Sequence, residues 1–254
     1  MSIITLTTDL GVTDYYVGKL KGCLLSKIPS AQLVDISHAV TSHDISTAAY
    51  FVKSAKAAFP EKTIHIINVY SVYSSESKMI LYQHGGSYFI APDNGLLSLI
   101  FPELDATKVR IIRPNHSEDS LFETLAHTCA CIINGLIEEC SDASPTFTQR
   151  LSVQPVTGTD EIRGTIIHID HMENVITNIS REVFEKYRNG RKYEIYFRHN
   201  DPITEISKTY ADVPVGEIVC LFNDGNMLEI AINMGKASTL HGLHLNETIQ
   251  IYFV

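Results

Sequence analysis

The most constraining feature of this sequence is a strand–turn–helix unit at residues 3–24. Residues 3–7 are apolar or β-branched, which predicts a strand that is buried on both faces. From residue 15 onward the apolar residues recur with a helical period, so we predict that a helix follows. The turn between strand and helix is polar and contains Asp9, Gly11 and Asp14. Such a unit places ligand-binding groups at the carboxyl edge of a parallel sheet.

Asp9 and Asp14 are candidate binding residues because both carboxylates fall within this one turn. A carboxylate just past a strand can accept hydrogen bonds from the vicinal hydroxyls of a ribose, and a second one can hold a cation. Each residue also has a local alternative, in which Asp14 caps the helix and Asp9 makes an Asx turn. Their combination with a glycine in one turn favours a binding site.

The first half of the chain alternates strands with helices. Strands are predicted at residues 33–36, 64–70, 79–82, 88–91 and 109–112, and helices at residues 45–59 and 121–138. This alternation predicts an α/β domain with a largely parallel, Rossmann-like sheet over residues 1–145. His65 lies within one of the apolar strands and is interpreted as a core histidine.

The pattern changes beyond residue 145. Residues 146–159 are rich in Ser, Thr, Pro and Gly and have no clear period, so they are interpreted as a linker. Short strands separated by turns are predicted at residues 164–170, 193–197, 218–222, 228–232 and 248–253. Only residues 181–187 have a helical pattern. Residues 160–254 are therefore predicted to form a smaller, β-barrel-like C-terminal domain.

The composition argues against several classes of function. The formal net charge of −9 argues against a nucleic-acid partner, which requires a basic surface. The sequence has no run of about 18 apolar residues and no secretory signal, which argues against a membrane partner and against export. The five cysteines have neither metal-site nor disulfide spacing, so we expect free thiols in a cytoplasmic protein without a metal.

Six motifs are spread over nearly the whole chain. They are Thr8-Asp9-Leu10-Gly11 followed by Asp14, Ser37-His38 followed by Asp44, Phe59-Pro60, Ala91-Pro92-Asp93-Asn94-Gly95-Leu96-Leu97, Asn174-Val175-Ile176-Thr177-Asn178-Ile179 and Leu228-Glu229-Ile230-Ala231. In order and approximate spacing they resemble the S-adenosylmethionine hydroxide adenosyltransferases, a family that also contains the S-adenosylmethionine fluorinases and chlorinases. The resemblance implies an α/β domain followed by a β-rich domain, with S-adenosylmethionine as the substrate and no cofactor. It also implies a homotrimer that binds this small nucleoside substrate at the subunit interface.

The resemblance implies roles for individual residues. Asp9 is expected on the ribose hydroxyls, and Asp14 near the methionine end of the substrate. Asn174 and Tyr210 are expected to hold adenine through an amide edge and a stacking face, although an Asn also suits a hairpin and a Tyr also suits a core. The other residues expected to contact the substrate are His43, Ser117, Asp224 and Gly225.

The sequence departs from the family pattern at Asp224, where the relatives have a small polar residue. The turn of Asp224 and Gly225 is expected near the carboxylate of the methionine moiety. A carboxylate that faces another carboxylate is unfavourable. Asp224 therefore either binds the ammonium group of the substrate or points away from it.

A second departure affects the residues that form hydroxide. The hydrolases of the family use an Asp, an Arg and a His for this purpose. In this chain Tyr70 takes the place of the Asp, and the Arg position falls at Ser77 or Lys78. His116 corresponds to the His in one of two possible alignments. The catalytic candidates are therefore His116 and Tyr70, with Tyr70 packing over the ribose as it does in the halogenating relatives.

These features predict an enzyme that cleaves S-adenosylmethionine at the ribose 5′ carbon with water, giving adenosine and methionine. Halide transfer is the alternative within the same fold, and the bulky Tyr73 disfavours it. A second alternative is a non-catalytic binder of S-adenosylmethionine or adenosine, because ligand-binding loops persist while hydroxide-forming residues are missing. A third is an unrelated α/β binding protein whose loop motifs match by chance.

Overall fold

The computed structural model describes residues 2–71, 78–198 and 201–254. The chain divides into two compact units, Met1–Ser152 and Val153–Val254. No helix in these described ranges is long and apolar enough to cross a membrane.

The first unit is an α/β structure. Its strands in the described residues are β1 (Ile3–Thr8), β2 (Gln32–Ser37), β3 (Ile64–Asn68), β4 (Met79–His84), β5 (Ser87–Pro92), β6 (Val109–Ile112) and β7 (Ser141–Ala143). Its α-helices are α1 (Tyr16–Lys27), α2 (Ile45–Ala55), α3 (Leu96–Ile100), α4 (Leu121–Asn134) and α5 (Ile137–Cys140). Short 3-10 turns occupy Lys56–Ala58 and Ala106–Lys108.

The strands form one mixed sheet in the order β2-β1-β3-β5-β4-β6-β7. The pairs β1–β2, β1–β3 and β3–β5 are parallel, whereas β4 is antiparallel to both its neighbours and β6–β7 is antiparallel. Because β2 and β3 lie on opposite sides of β1, the strand order reverses at β1. Open α/β sheets bind ligands at such a reversal, outside the carboxyl ends of the strands.

Helices cover both faces of this sheet. Leu20 of α1 and Leu125 of α4 pack in one core cluster with Ile66 of β3. Val52 of α2 packs in a second cluster with Ile67, the next residue of β3. Successive side chains of a strand point to opposite faces, so β3 needs apolar side chains at both Ile66 and Ile67. The predicted Rossmann-like α/β class is confirmed.

The second unit consists mainly of antiparallel strands. Its strands are β8 (Val156–Thr157), β9 (Glu161–Ile169), β10 (Val175–Ser180), β11 (Tyr193–Tyr196), β12 (Ile218–Phe222), β13 (Met227–Ile232) and β14 (Thr248–Phe253). Six of them follow the order β11-β14-β9-β10-β13-β12, and β8 pairs with β9. The sheet curls into a half-barrel around one apolar core, which agrees with the predicted β-barrel-like class.

Two predictions about helices were wrong. The helix predicted over residues 121–138 is two helices, because Gly135 adopts the left-handed conformation (φ 72°) and ends α4. The second unit contains α6 (Arg181–Arg188), as predicted, and also the short α7 (Ala237–His241) with a 3-10 turn at Tyr210–Asp212. These added elements have five residues or fewer, too few to give a helical period in the sequence.

His65 is a core residue, as its position in an apolar strand predicted. Its side chain is 1% exposed, stacks on Phe89 and shares a 2.8 Å hydrogen bond between Nδ1 and Thr5 Oγ1. Burial, with a smaller contribution from the charge of Lys56, lowers the pKa of His65 to about 4.

This depressed pKa predicts acid sensitivity. The unfolded chain binds a proton at His65 near pH 6.5, but the folded chain does so only near pH 4, so stability is complete above pH 6.5 and falls toward pH 4. From pH 7 to pH 5 the wild type is expected to lose about 2 kcal/mol more unfolding free energy than His65→Gln, which does not titrate. Urea unfolding of both proteins at the two pH values measures this difference, and parallel losses would contradict it.

Candidate functional site

A cavity of about 460 Å³ opens at the carboxyl ends of β1 and β3 in the first unit. Its volume lies within the range of small-molecule sites. The residues that line it are Asp9, Leu10, Tyr15, Tyr16, Lys19, Ser42, His43, Asn68, Tyr70, Ser71, Ser120, Leu121 and Phe122. They come from the loops after β1, β2 and β3 and from the first turns of α1 and α4, so the cavity lies where the strand order reverses.

Asp9 connects three of these loops. Its Oδ2 atom accepts hydrogen bonds from the backbone N–H groups of His43 and Tyr70, each at 3.1 Å. These donors are 34 and 61 residues away in sequence, so Asp9 does not make the local Asx turn that was its alternative. No described residue donates a hydrogen bond to Oδ1, so this oxygen is available to a ligand in the cavity.

The loop that carries Asp9 is held by His38, which is 6% exposed. The His38 Nδ1 atom shares a 2.8 Å hydrogen bond with Thr8 Oγ1, and the His38 carbonyl accepts a 2.8 Å bond from the Gly11 N–H. Thr8 Oγ1 in turn accepts the Leu10 N–H at 3.3 Å. Gly11 has a φ of +71°, a conformation that a side chain would strain.

A charged pair supports His38 from the other side. His38 Nε2 lies 3.1 Å from Asp35 Oδ1, and Lys21 Nζ donates to Asp35 Oδ2 at 2.6 Å. Burial alone raises the pKa of Asp35, but the hydrogen bonds and charges of Lys21 and His38 outweigh it and lower that pKa. Asp35 is therefore an ionised anchor for the His38 ring.

Tyr70 and His43 form one wall of the cavity. Both have positive φ angles, 55° and 68°, which turn their backbone N–H groups toward Asp9. Their rings meet edge to face with centroids 4.8 Å apart. Asn94 Nδ2 donates to the carbonyls of Val69 (3.1 Å) and Tyr70 (3.4 Å), which fixes the end of this loop. Tyr70 remains 39% exposed, so its ring is available to a ligand.

Three predicted site residues of the first unit do not line the cavity. Asp14 is exposed and does not cap α1, whose N-cap is Tyr15 without a side-chain hydrogen bond. His116 and Ser117 lie in an exposed loop, where the His116 N–H donates to Asp119 Oδ2 at 3.0 Å. Of the two positions given for the missing Arg, Ser77 lies outside the described residues and Lys78 is exposed; Tyr73 also lies outside the described residues.

In the second unit, Asn174 lies in the turn between β9 and β10. Its side-chain Nδ2 donates to Asp170 Oδ2 at 3.0 Å, and its backbone N–H donates to Asp170 Oδ1 at 2.8 Å. The amide is therefore held by a carboxylate that the sequence analysis did not single out. Asp170 follows a strand and precedes an Asn by four positions, which is the signal that could have identified it.

Tyr210 is 42% exposed and is not the core residue that was its alternative. Its hydroxyl donates to Glu229 Oε1 at 2.7 Å, and Asn223 Nδ2 donates to Glu229 Oε2 at 3.1 Å. Burial and then the hydrogen bond to Glu229 raise the pKa of Tyr210. Sequence analysis did not assign Glu229 a role, although a lone carboxylate in the apolar strand β13 was the available signal.

Several acidic groups meet around this tyrosine. Burial raises the pKa of Glu229, hydrogen bonds from Tyr210 and Asn223 oppose that shift, and the charges of Asp170 and Asp224 add to it. The side chain of Asp224 is exposed, and the Gly225 N–H donates to Asn223 Oδ1 at 3.0 Å within the same turn. The predicted adenine and methionine contacts of the second unit therefore lie close to one another.

The described residues, 2–71, 78–198 and 201–254, form no metal centre. No group of three or more His, Cys, Asp or Glu side chains in these ranges is arranged to hold a metal ion.

The chain is similar to one protein family over both units. It matches the model of the SAM hydroxide adenosyltransferase N-terminal domain over residues 4–131 and that of the C-terminal domain over residues 164–250. Here SAM is S-adenosylmethionine. The two matches together account for most of the sequence.

Individual proteins and structures are similar over nearly their full length. An (R)-S-adenosyl-L-methionine hydrolase of Methanocaldococcus jannaschii is 29% identical over 265 residues, which cover 100% of this chain and 97% of that protein. A fluorinase of an Actinoplanes species is 26% identical, covering 98% of this chain and 97% of its own. The crystal structure of an uncharacterized conserved protein from Thermotoga maritima matches with a TM-score of 0.86 at 26% identity, covering 99% of this chain and 100% of that one.

Proposed function

Because this chain belongs to the S-adenosylmethionine hydroxide adenosyltransferase family, we propose that it cleaves S-adenosylmethionine with water, giving adenosine and methionine. The observation that best supports this proposal is the geometry of Asp9. Its carboxylate joins the loops after β1, β2 and β3 through Oδ2 and leaves Oδ1 toward a cavity of about 460 Å³. We assign Asp9 to the ribose hydroxyls, to which a carboxylate makes charge-assisted hydrogen bonds.

The reaction is a displacement at the ribose 5′ carbon. The oxygen of water bonds to this carbon while the carbon–sulfur bond breaks, and methionine leaves with the bonding electron pair as a neutral thioether. The second product is adenosine, after the attacking water has lost a proton to a base. The protein must align the water opposite the sulfur and exclude other solvent. We assign that exclusion to the ring of Tyr70 together with that of Phe122, which also lines the cavity.

His116 is the proposed base. His116 is exposed, and catalytic hydrogen bonds are often completed only when substrate is bound. Tyr70 occupies the position of the family Asp and has no carboxylate to orient water. We therefore propose a slow enzyme, in which positioning supplies most of the rate.

The remaining assignments concern the two ends of the substrate. We propose that Asn174 and Tyr210 hold adenine, with Asp170 and Glu229 orienting them. Asp224 then binds the ammonium group of the methionine moiety. The other proposed contacts with the substrate are Asp14, His43, Ser117 and Gly225. The proposal includes no cofactor.

We also propose that the protein is a homotrimer and that the ligand lies at the interface between subunits. Heterologous contacts that close into a ring allow each subunit to complete the site of its neighbour. We expect light scattering at micromolar concentration to give three times the mass of one chain. A monomer would contradict this assembly.

A cytoplasmic location is part of the proposal. All five cysteines are free thiols, and four of them are buried. Free buried thiols are typical of proteins in a reducing compartment.

The proposed reaction is tested by incubating the protein with S-adenosylmethionine in the presence and absence of chloride, followed by chromatography. Adenosine and methionine in equal amounts, independent of chloride, are the expected products. If chloroadenosine forms when chloride is present, the reaction is halide transfer rather than hydrolysis. Binding of S-adenosylmethionine without any product would identify a non-catalytic binder.

A further inference from the structure

The cavity of the first unit contains a cation that the roles proposed above do not use. Lys19 lines it together with Asp9, Tyr15 and Tyr16. Lys19 is the only lysine or arginine among the lining residues in the described part of the chain. It therefore places a positive charge beside the proposed ribose site.

The start of α1 directs Lys19 to the cavity. The Lys19 N–H donates to the Tyr15 carbonyl at 2.8 Å, so the two residues are one helical turn apart and share a face. Both line the cavity. Asp14, which the family resemblance places near the methionine end of the substrate, immediately precedes this turn.

Lys19 has no ion-pair partner among the described residues, in contrast to Lys21 two positions later, which binds Asp35 at 2.6 Å. The charge of Lys19 acts on Glu123, whose pKa is lowered mainly by hydrogen bonds from Ser120 and to a smaller extent by Lys19. The Oε2 atom of Glu123 accepts the Ser120 N–H at 2.8 Å and the Ser120 hydroxyl at 2.6 Å. Glu123 is thus committed to capping α4, and the Lys19 ammonium is available to a ligand.

We propose that Lys19 binds the α-carboxylate of the methionine moiety and selects ligands that carry this group. This inference rests on the proposed function. S-adenosylmethionine has two cationic groups, the sulfonium and the ammonium, and its carboxylate is the one group that a lysine attracts.

The test measures how the affinity depends on the carboxylate of the ligand. Calorimetry is performed with adenosine, with S-adenosylhomocysteine and with decarboxylated S-adenosylhomocysteine, none of which has a sulfonium leaving group. Lys19→Met is expected to weaken S-adenosylhomocysteine binding about tenfold, as one partly exposed charged hydrogen bond is lost. Its affinity for adenosine and for the decarboxylated ligand should not change. Lys19→Arg should restore most of the loss.

Lys27→Met is the matched control, because it removes a charge from the last turn of the same helix and Lys27 does not line the cavity, although its charge, like that of Lys19, acts on Glu123. Unchanged S-adenosylhomocysteine affinity in Lys19→Met would overturn the inference while leaving the proposed function intact. Equal losses for all three ligands would also overturn it, since Lys19 would then only shape the cavity. A wild type that binds neither adenosine nor S-adenosylhomocysteine would instead contradict the proposed function.

Discussion

Asp9→Ala is expected to weaken adenosine binding at least thirtyfold, which corresponds to about 2 kcal/mol. The substitution removes the charged acceptor that we assign to the ribose hydroxyls. It also leaves the N–H groups of His43 and Tyr70 without the Oδ2 atom that now accepts both of them at 3.1 Å. Because those two loops form a wall of the cavity, their loss of order adds to the loss of the ligand contact.

Asp9→Asn separates the two effects. An Asn oxygen can still accept the backbone N–H groups, but it has no charge, so we expect a loss of about tenfold rather than thirtyfold. Asp142→Ala is the control, because it removes an exposed carboxylate from β7, where Asp142 pairs with Arg113. Calorimetry measures all three variants. Unchanged adenosine affinity in Asp9→Ala would remove Asp9 from the site.

The fold was largely predictable because its central strands are buried on both faces. Five of the six residues of β1 and all five of β3 are buried, so their sequences are rich in apolar and β-branched residues on both faces, which is typical of a central strand. The short elements were not predictable. Both α7 and the turn at Tyr210–Asp212 are too short to have a period, and the break after α4 depends on the backbone angle of Gly135.

The site was predictable only where a side chain itself suggests the chemistry. Asp9 stood out as a carboxylate after a strand. The groups that hold Asp9 are backbone N–H groups of His43 and Tyr70, and a backbone N–H has no signature in a sequence. Glu229 was missed because its partner Tyr210 lies in a short 3-10 turn 19 residues earlier in the sequence, and the two side chains meet only in the folded chain.

The hydroxide-forming residues decide how fast this protein turns over. We expect the wild type to hydrolyse S-adenosylmethionine about a hundred- to ten-thousandfold more slowly than relatives with the Asp, because this is the usual contribution of general-base assistance. The sulfonium is a good leaving group, so positioning alone still leaves a measurable rate. His116→Ala should lower this residual rate if His116 accepts the proton of water.

Tyr70→Asp tests the cause of the slow rate. The φ of Tyr70 is +55°, a conformation that Asp and Asn tolerate better than Tyr, so the backbone and its bond to Asp9 should persist. We expect the new carboxylate to raise the hydrolysis rate at least tenfold, although less than fully without the family Arg. Tyr70→Asn is the matched control, because it has the same shape and backbone preference without a base.

Rates of adenosine formation under single-turnover conditions distinguish the outcomes. An increase in Tyr70→Asp that is absent in Tyr70→Asn identifies the missing carboxylate as the cause, because the two variants open the same space beside Asp9. An equal increase in both would mean that the Tyr70 ring obstructs the attacking water. If the wild type binds S-adenosylmethionine tightly without cleaving it, and Tyr70→Asp is also inactive, the hydrolase proposal fails. The cavity would then belong to a binding protein, in which Tyr70 closes over the ribose but prepares no nucleophile.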